Sequence, residues 1–217
     1  MDRRLEAILE NVRCRVLADI GCDHGKVAVY SVVRRLAERA IAADISENCL
    51  QKARELAARM GADGVEFRVG DGMSVLEEYE ADNVVIAGMG GREIQKILED
   101  APRMSAKFIL VPHDDAPLLR GYLAGSGYEK SRDNIVKSGG KFYPVIVCKH
   151  TGAKRDISDE ELLYGIDVTG EDCKEYIGRR LRVLENICAN IPLGDKRRAD
   201  MERWLAATRS AAARSKL

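Results

Sequence analysis

Residues 18–25 read Ala-Asp-Ile-Gly-Cys-Asp-His-Gly, directly after the apolar pair Val16-Leu17 and directly before a helical pattern that starts at about Lys26. A strand that ends in a glycine-containing turn and continues as a helix is typical of the first unit of an open parallel α/β sheet. Ligands bind such sheets at the carboxyl edge, where glycines let the backbone approach closely. We therefore predict an α/β fold with a ligand-binding turn at residues 18–25.

The first 150 residues repeat this rhythm. Short β-branched runs alternate with helical patterns, which predicts parallel strands connected by crossover helices. After the fifth run the alternation stops, and a Ser-Gly-Gly turn at 138–140 predicts an antiparallel hairpin that closes the sheet. The predicted strands are residues 16–20, 40–45, 65–69, 83–87 and 108–111, followed by hairpin strands 128–136 and 142–148. The predicted helices are residues 47–60 with Ser46 as N-cap, 92–98 and 117–124.

A different pattern follows a polar, turn-rich passage at residues 150–156. Apolar residues from Ile177 to Ile191 recur with spacings of 4, 3, 4 and 3, which predicts an amphipathic helix. Residues 192–195 read Pro-Leu-Gly-Asp and predict a turn, with Asp195 capping a second helix that folds back on the first. The predicted domains are an α/β sheet domain at residues 1–153 and an α-helical hairpin domain at residues 154–217.

The composition limits the class of protein. With 46% hydrophobic and 32% charged residues, the 217-residue chain has the composition of a folded globular protein. No apolar run reaches the roughly 18 residues that span a bilayer, and the N-terminus lacks an apolar signal core, so we expect a cytoplasmic protein with no membrane partner. The six cysteines form no C-x-x-C pair, and no histidines and carboxylates share a metal-ligand spacing. We therefore expect reduced thiols and no metal, and a monomer is the default expectation.

The glycine turn distinguishes two kinds of nucleotide cofactor. A dinucleotide fingerprint G-x-G-x-x-G that starts at Gly21 needs glycine at positions 23 and 26, where the chain has Asp23 and Lys26. A carboxylate at position 23 would repel a pyrophosphate, whereas S-adenosylmethionine carries no phosphate and does carry an ammonium group. We therefore predict S-adenosylmethionine as the cofactor.

Two further carboxylates end the next predicted strands. Asp44 ends the second strand, where a carboxylate accepts hydrogen bonds from ribose hydroxyls. Asp71 ends the third, where it can accept from the exocyclic amine of an adenine. An acid at a strand end is also a common N-cap or solvated loop residue. The prediction therefore depends on three acids, Asp23 included, standing in register at three strand ends.

The fourth predicted strand ends in Ile-Ala-Gly-Met-Gly-Gly, residues 86–91. Enzymes that methylate exocyclic amines commonly carry Asn/Asp-Pro-Pro-aromatic at this place, and this chain does not. The glycines indicate either a tight strand-to-helix turn or a bare backbone on which a flat acceptor base lies close to the transferring methyl group.

Three motifs, ADIGCDHG at 18–25, Gly70-Asp71-Gly72 and IAGMGG at 86–91, followed by a basic helical tail, resemble the bacterial transfer-RNA adenine-22 N1-methyltransferases. The resemblance covers about residues 3–150. It implies a class I Rossmann-like methyltransferase domain and a C-terminal coiled-coil-like helical domain. It also implies that S-adenosylmethionine is used to methylate N1 of an adenine in the D-loop region of transfer RNA.

The resemblance assigns roles by position. It places the methionine end of the cofactor at Asp19, Gly21 and Asp23, the ribose at Asp44 and the adenine at Asp71. The predicted cofactor-binding residues are Asp19, Gly21, Asp23, Gly25, Asp44, Ile45, Asp71, Gly72, Gly88 and Gly90. The predicted catalytic residues, which face the methyl group or the acceptor base, are Asp23, His24, Met89 and His113.

Two of these residues keep alternatives open. His24 either contacts the ligand or holds the glycine turn by bonding a backbone carbonyl. His113 stands where the family usually has the asparagine of Gln-Pro-Asn, in the local sequence Val111-Pro112-His113. Tyr143 is expected in the core, and His150 is expected to be a linker residue without a role.

The tail is the second informative region. From Lys174 to Leu217 there are 11 basic and 5 acidic residues, a net charge of +6, so residues 1–173 carry −6. A charge run is usually a solvated face, but cations at a helix N-terminus oppose the helix dipole, and phosphate binding would offset that cost. We expect two clusters toward opposite ends of the hairpin to bind the transfer-RNA backbone. The predicted RNA-binding residues are Arg179, Arg180, Arg182, Lys196, Arg197 and Arg198.

Two other functions stay open at this point. The same fold serves methyltransferases that act on small molecules or proteins, because the fold does not choose the acceptor. A protein that binds cofactor and RNA without catalysis is the other alternative, suggested by the histidine at position 113.

Overall fold

One seven-stranded sheet organises the chain, of which the computed structural model describes residues 2–216. The strands lie in the order β3-β2-β1-β4-β5-β7-β6; the first five are parallel, and β7 is antiparallel to both β5 and β6. The predicted parallel sheet with an antiparallel final hairpin is confirmed. The strands are β1 (Cys14–Ile20), β2 (Ala37–Asp44), β3 (Val65–Val69), β4 (Asn83–Ala87), β5 (Lys107–Val111), β6 (Tyr128–Ser138) and β7 (Lys141–His150).

Helices cover both faces of the sheet and form the tail. Ser46 caps α3 as predicted, because its hydroxyl accepts a hydrogen bond from the Cys49 N–H. The sequence patterns do not predict α1 and α6, which have 7 and 6 residues and are too short to show a helical period. Within residues 2–216 no helix has the length and apolar content needed to cross a bilayer. The helices are α1 (Arg3–Leu9), α2 (Lys26–Val33), α3 (Glu47–Met60), α4 (Gly91–Glu99), α5 (Ala116–Gly125), α6 (Asp159–Tyr164), α7 (Glu171–Asn190) and α8 (Arg198–Ser215).

The strand order changes direction at β1. This strand pairs with β2 on one side and with β4 on the other, both in parallel. Leu17 and Ala18 of β1 and Val84 and Val85 of β4 are fully buried, as expected for a parallel sheet covered on both faces. Because the connections leave β1 and β4 in different directions, a crevice forms outside their carboxyl ends.

The predicted helical hairpin is present as α7 and α8. Helix α7 buries Ile177 and Leu184, and α8 buries Ala207 and Ala211. Ile177, Ala207 and Ala211 share an apolar cluster with Ile135 of β6, so the hairpin packs against this edge strand of the sheet. The division of the chain at residue 153 stays a prediction.

The prediction that Asp195 caps the second tail helix is wrong. Helix α8 begins at Arg198, and its N-cap residue is Arg197 in a helical backbone conformation. Asp195 lies in the preceding turn, where its carboxylate accepts the Arg197 backbone N–H at 2.9 Å and pairs with the Arg197 guanidinium at 2.7 Å. The carboxylate therefore stabilises the turn and neutralises a cation that the sequence pattern assigned to RNA.

A buried charge cluster joins the sheet domain to the tail. Asp133 of β6 is fully buried and pairs with Arg120 of α5 at 2.8 Å and with Lys130 at 2.7 Å. The Arg120 guanidinium also donates to the backbone carbonyls of Leu162 and Leu163 in α6, at 3.2 and 3.0 Å. One carboxylate and one guanidinium thus hold α5, β6 and α6 together.

We expect Asp133→Ala to lower the free energy of unfolding by about 3–5 kcal/mol, because it leaves the buried Arg120 without a carboxylate partner and leaves Lys130 with Glu161 alone. Glu185→Ala is the control, since Glu185 forms an exposed pair with Arg209, and its loss should cost less than about 1 kcal/mol. Chemical denaturation measures both variants. Equal losses for the two variants would contradict a central role for the cluster.

Candidate active site

A cavity of about 1040 Å³ opens at the carboxyl ends of β1, β2 and β4. The predicted parallel edge therefore holds a space large enough for a nucleoside-sized ligand. Three predicted residues, Gly25, Gly90 and His113, do not line it. The predicted residues that do line it are Asp19, Gly21, Asp23, His24, Asp44, Ile45, Asp71, Gly72, Gly88 and Met89.

Asp19 is the buried acid of the site, with 3% of its surface exposed. Its Oδ2 accepts the backbone N–H of Ala28 at 3.1 Å and so ties β1 to the first turn of α2. Burial raises the pKa of Asp19 to about 7, against the effect of that hydrogen bond and with a further contribution from the charges of Asp44 and Asp23. A cationic ligand group placed beside Asp19 would favour its ionised form.

Asp44 fixes the glycine turn. Its Oδ2 accepts the backbone N–H of Asp23 at 3.0 Å, and its Oδ1 accepts the N–H of Ser46 at 2.9 Å. Asp23 has a φ of +50°, a left-handed conformation that aspartate tolerates better than most residues. Each oxygen of Asp44 keeps a second lone pair, which a ribose hydroxyl could use.

Gly21 lies directly under Met89. Its φ is +68°, and a Cβ built on Gly21 would lie 2.0 Å from Cε of Met89. A side chain at Gly21 would therefore strain the backbone and displace the end of the Met89 side chain. Met89 reaches from the end of β4 across the cavity floor to the turn after β1 and joins the two predicted motifs.

His24 and Gly25 complete the turn in different ways. Nε2 of His24 lies 3.6 Å from Oδ1 of Asp23 and 3.4 Å from Nζ of Lys52, with the ring partly exposed to the cavity. Gly25 is the N-cap of α2, and a Cβ there would lie 2.6 Å from the Cβ of Ala53. Gly25 therefore allows α2 to pack closely on α3. It does not line the cavity in which its ligand contact is predicted.

Asp71 and Ile45 lie together at the β2–β3 side of the mouth. Asp71 precedes a short 3₁₀ helix (Gly72–Val75) without a side-chain capping bond, so its carboxylate is available as an acceptor. Ile45 is 72% exposed, which is unusual for an isoleucine and leaves an apolar surface on which a flat base could lie.

The loop after β4 and the loop after β5 are bonded to each other. The Gly88 N–H donates to Val111 O at 3.2 Å, the His113 N–H to Met89 O at 3.0 Å and the Gly91 N–H to Asp114 O at 3.2 Å. His113 Nδ1 lies 3.1 Å from Gly88 O, so the imidazole stands behind the cavity wall that Gly88 and Met89 form.

The sequence patterns do not predict that α1 forms one wall of the cavity. Arg4, Leu5 and Ile8 of this helix line it, beside Tyr30 of α2. In the sequence, α1 is indicated only by Asp2 as a capping residue before two turns of helix. Two turns are too short to show a helical period of apolar residues. The Arg4 guanidinium lies over the ring of Tyr143 at 5.1 Å, so Tyr143 supports α1 and does not itself line the cavity.

Acidic residues outnumber basic ones around the cavity. Three cations, Arg4, Lys26 and Lys96, face seven carboxylates. Such a lining suits a ligand that carries ammonium and sulfonium charges, and the carboxylates at the ends of the strands suit ribose and adenine donors. S-adenosylmethionine therefore fits the residues present. The seven carboxylates belong to Asp2, Asp19, Asp23, Asp44, Asp71, Glu93 and Asp100.

No metal centre is built into the described part of the chain, and the thiol that lines the cavity is buried. Among residues 2–216 no three His, Cys, Asp or Glu side chains are grouped to hold a metal ion. All six cysteines are free thiols, and burial raises the pKa of Cys22, which lines the cavity. The cavity chemistry is therefore one of carboxylates, glycine backbone and a thioether.

The predicted RNA-binding cations differ in their partners. Arg179 pairs with Glu175 and lies over the Phe142 ring, Arg180 lies beside the Tyr164 hydroxyl, and Arg198 pairs with Glu202. Arg182 and Lys196 are exposed and form no ion pair within residues 2–216.

The expected placement of the two clusters at opposite ends of the hairpin is wrong. Arg182 lies in the middle of α7, only eight residues before the end of the helix at Asn190, or about 12 Å at 1.5 Å per residue. Lys196 lies in the turn that follows α7. The two cations therefore lie in the middle of α7 and in the turn that follows it, and not at opposite ends of the hairpin.

The methyltransferase domain family matches residues 1–146. A tRNA (adenine(22)-N(1))-methyltransferase from Bacillus subtilis (strain 168) is 33% identical over 154 residues. The alignment covers 69% of this chain and 65% of that relative, just under two thirds of the relative's own length.

Solved structures share the complete architecture. The crystal structure of the B. subtilis m1A22 tRNA methyltransferase TrmK superposes with a TM-score of 0.85 at 26% identity and covers 98% of both chains. M. capricolum TrmK, in complex with S-adenosylhomocysteine, gives a TM-score of 0.86 at 19% identity, again over 98% of both chains. The expected Rossmann-like sheet and the C-terminal helices are therefore confirmed as one shared fold.

We expect Gly21→Ala to destabilise the protein more in the wild-type background than in a Met89→Ala background, because the new methyl group collides with Cε of Met89. Gly61→Ala is the matched control: Gly61 has a similar φ of +64° but open space around it, so only the conformational cost of about 1 kcal/mol applies in either background. Denaturation of the single and double variants gives the coupling. Equal costs for Gly21→Ala in both backgrounds would contradict the contact.

Proposed function

This chain belongs to the methyltransferase domain family, and we propose that it transfers the methyl group of S-adenosylmethionine to N1 of adenine 22 in transfer RNA. The observation that carries the proposal is that Asp23, Asp44 and Asp71, from the ends of three neighbouring strands, line one cavity. The name of the B. subtilis relative supplies the acceptor and its position.

The cofactor would be held by the acids and glycines of the cavity. Asp19, Gly21 and Asp23 would surround its methionine end, Asp44 would accept from the ribose hydroxyls, and Asp71 would accept from the adenine amine, with Ile45 beneath the base. When bound, S-adenosylmethionine supplies a methyl group on a positively charged sulfur. The predicted contacts of Gly25 and Gly90 are not part of this proposal, because neither residue lines the cavity.

The acceptor would enter on the side of Gly88 and Met89. Adenine N1 has a lone pair in the plane of the ring, so no base has to remove a proton, and the residues of the site act by positioning the adenine and excluding water. Gly88 leaves the backbone open to a flat base, and the thioether of Met89 gives that base an apolar contact. Because N1 is covered in a Watson–Crick pair, the base must be unpaired or flipped out.

The tail would hold the transfer RNA by its phosphates. Of the six predicted RNA-binding cations, Arg182 and Lys196 are exposed and have no acidic partner among the described residues. Contacts with phosphates do not depend on the RNA sequence. We propose a monomer as the functional unit, acting in the cytoplasm where transfer RNA is processed.

Incubation of the purified protein with methyl-labelled S-adenosylmethionine and unmodified transfer-RNA transcripts should place the label in 1-methyladenosine, identified by mass spectrometry after digestion. A transcript with guanine at position 22 is the control and should stay unlabelled. Label in another nucleoside, or none in RNA while cofactor binding is intact, would refute the proposal.

The double variant Arg182→Ala/Lys196→Ala should bind transfer RNA more weakly and lower the slope of log affinity against log salt by about 1–2, as expected for one or two lost phosphate contacts. Arg209→Ala is the control, because Arg209 lies on the same hairpin but pairs with Glu185. Filter binding at several salt concentrations measures the slopes. An unchanged slope in the double variant would exclude both residues from the RNA interface.

A further inference from the structure

One carboxylate is built into the acceptor side of the site without serving the fold. A Cβ at Gly90 would lie 2.7 Å from Oδ1 of Asp114, so the carboxylate stands directly over the bare backbone of the loop after β4. The backbone carbonyl of Asp114 accepts the Gly91 N–H at 3.2 Å, which anchors the residue on the same loop. The bare backbone at Gly90 leaves room for this carboxylate, which is 59% exposed beside the loop after β4 and is not itself part of the cavity lining.

His113 holds this carboxylate in place. Its Nε2 lies 3.1 Å from Oδ2 of Asp114, while its Nδ1 lies 3.1 Å from Gly88 O. Both ring nitrogens are thus occupied by protein oxygens, and neither is directed to a substrate. The imidazole bridges the cavity wall at Gly88 and the carboxylate, and Oδ1 of Asp114 has no hydrogen bond among the described residues.

The neighbouring acids differ in their partners or in their place. Asp115 pairs with Arg92 at 3.1 Å, so its charge is compensated. Asp23 lies on the turn after β1, at the end of the cavity assigned to the cofactor. Glu93 lines the cavity from the first turn of α4 but is not bonded to the loops that form the acceptor wall.

We propose that Asp114 is a catalytic residue that accepts a hydrogen bond from the exocyclic amine of the acceptor adenine, with His113 as its positioning residue. The inference rests on the proposed function. In the transfer, the N1 lone pair forms the bond to the methyl carbon, and the sulfur–methyl bond breaks with its electron pair left on sulfur. No proton is lost, and the positive charge passes from sulfur to the base.

The exocyclic nitrogen carries part of that new charge, because it is conjugated with N1 through C6. A carboxylate that accepts a hydrogen bond from this amine stabilises the methylated, positively charged base more than the neutral base. Part of this gain is already present in the transition state, so the barrier to transfer falls. It also selects the base, since guanine presents a carbonyl oxygen at the same place and would be repelled. Asp114 would thereby both favour adenine over guanine as the acceptor and increase the rate of methyl transfer.

The first test is binding without cofactor. Wild-type protein should bind an RNA fragment with 1-methyladenosine at the target more tightly than one with adenosine, and Asp114→Asn should lose about 10- to 100-fold of that preference, the range for a charge-assisted hydrogen bond. Asp115→Asn is the matched control, since asparagine tolerates the left-handed φ of +45° at that position. A preference retained in Asp114→Asn overturns the inference.

The second test uses single-turnover methylation of RNA with adenine, or with purine lacking the amine, at the target. Asp114→Ala and His113→Ala should each slow the methylation of the adenine RNA about 10- to 100-fold. On the purine RNA, both variants should react at the same rate as the wild type. Equal losses on both RNAs, or a loss in Glu93→Gln alone, overturn the inference. A wild type that methylates neither RNA overturns the proposed function itself, whereas an active wild type with unaffected variants overturns only this inference.

Discussion

Everything at the site depends on the parallel pairing of β1 between β2 and β4. This pairing brings the carboxyl ends of the strands to one edge, and the change of direction at β1 leaves the space that becomes the cavity. The chain then has to reverse within a few residues after β1. Gly21, Asp23 and Gly25 all adopt positive φ there, and the Asp44 carboxylate holds the middle of the turn through the Asp23 N–H.

The site is also where the protein carries strain and unfavourable charge. Asp19 is buried beside two other carboxylates, and its pKa is raised to about 7 by burial above all. An acid whose folded pKa exceeds its unfolded value of 3.8 makes the fold less stable as the pH rises from about 4 to about 7. Strain of this kind concentrates at functional sites. A ligand with positive groups near Asp19 would relieve it, so binding and stability are coupled.

The tail depends on a second buried charge cluster. Asp133 and Arg120 connect β6 and α5 to the carbonyls at the end of α6, and α7 and α8 pack on the same region through Ile135. The outer half of the hairpin is thereby held at a fixed place relative to the cavity. The proposed contact of Arg182 and Lys196 with an RNA phosphate backbone requires such a connection between the tail and the sheet.

The sequence by itself determined the sheet, its final hairpin, the tail helices and four of the seven acids that line the cavity, because apolar period and glycine position are properties of single segments. Only the tertiary structure decided that Gly25 serves helix packing, that Gly90 makes room for Asp114, and that α1 closes one wall. The physical reason is that such contacts join atoms from segments far apart in the chain. A local sequence pattern can indicate that a position needs a small residue, but it does not show which neighbouring atoms occupy the space.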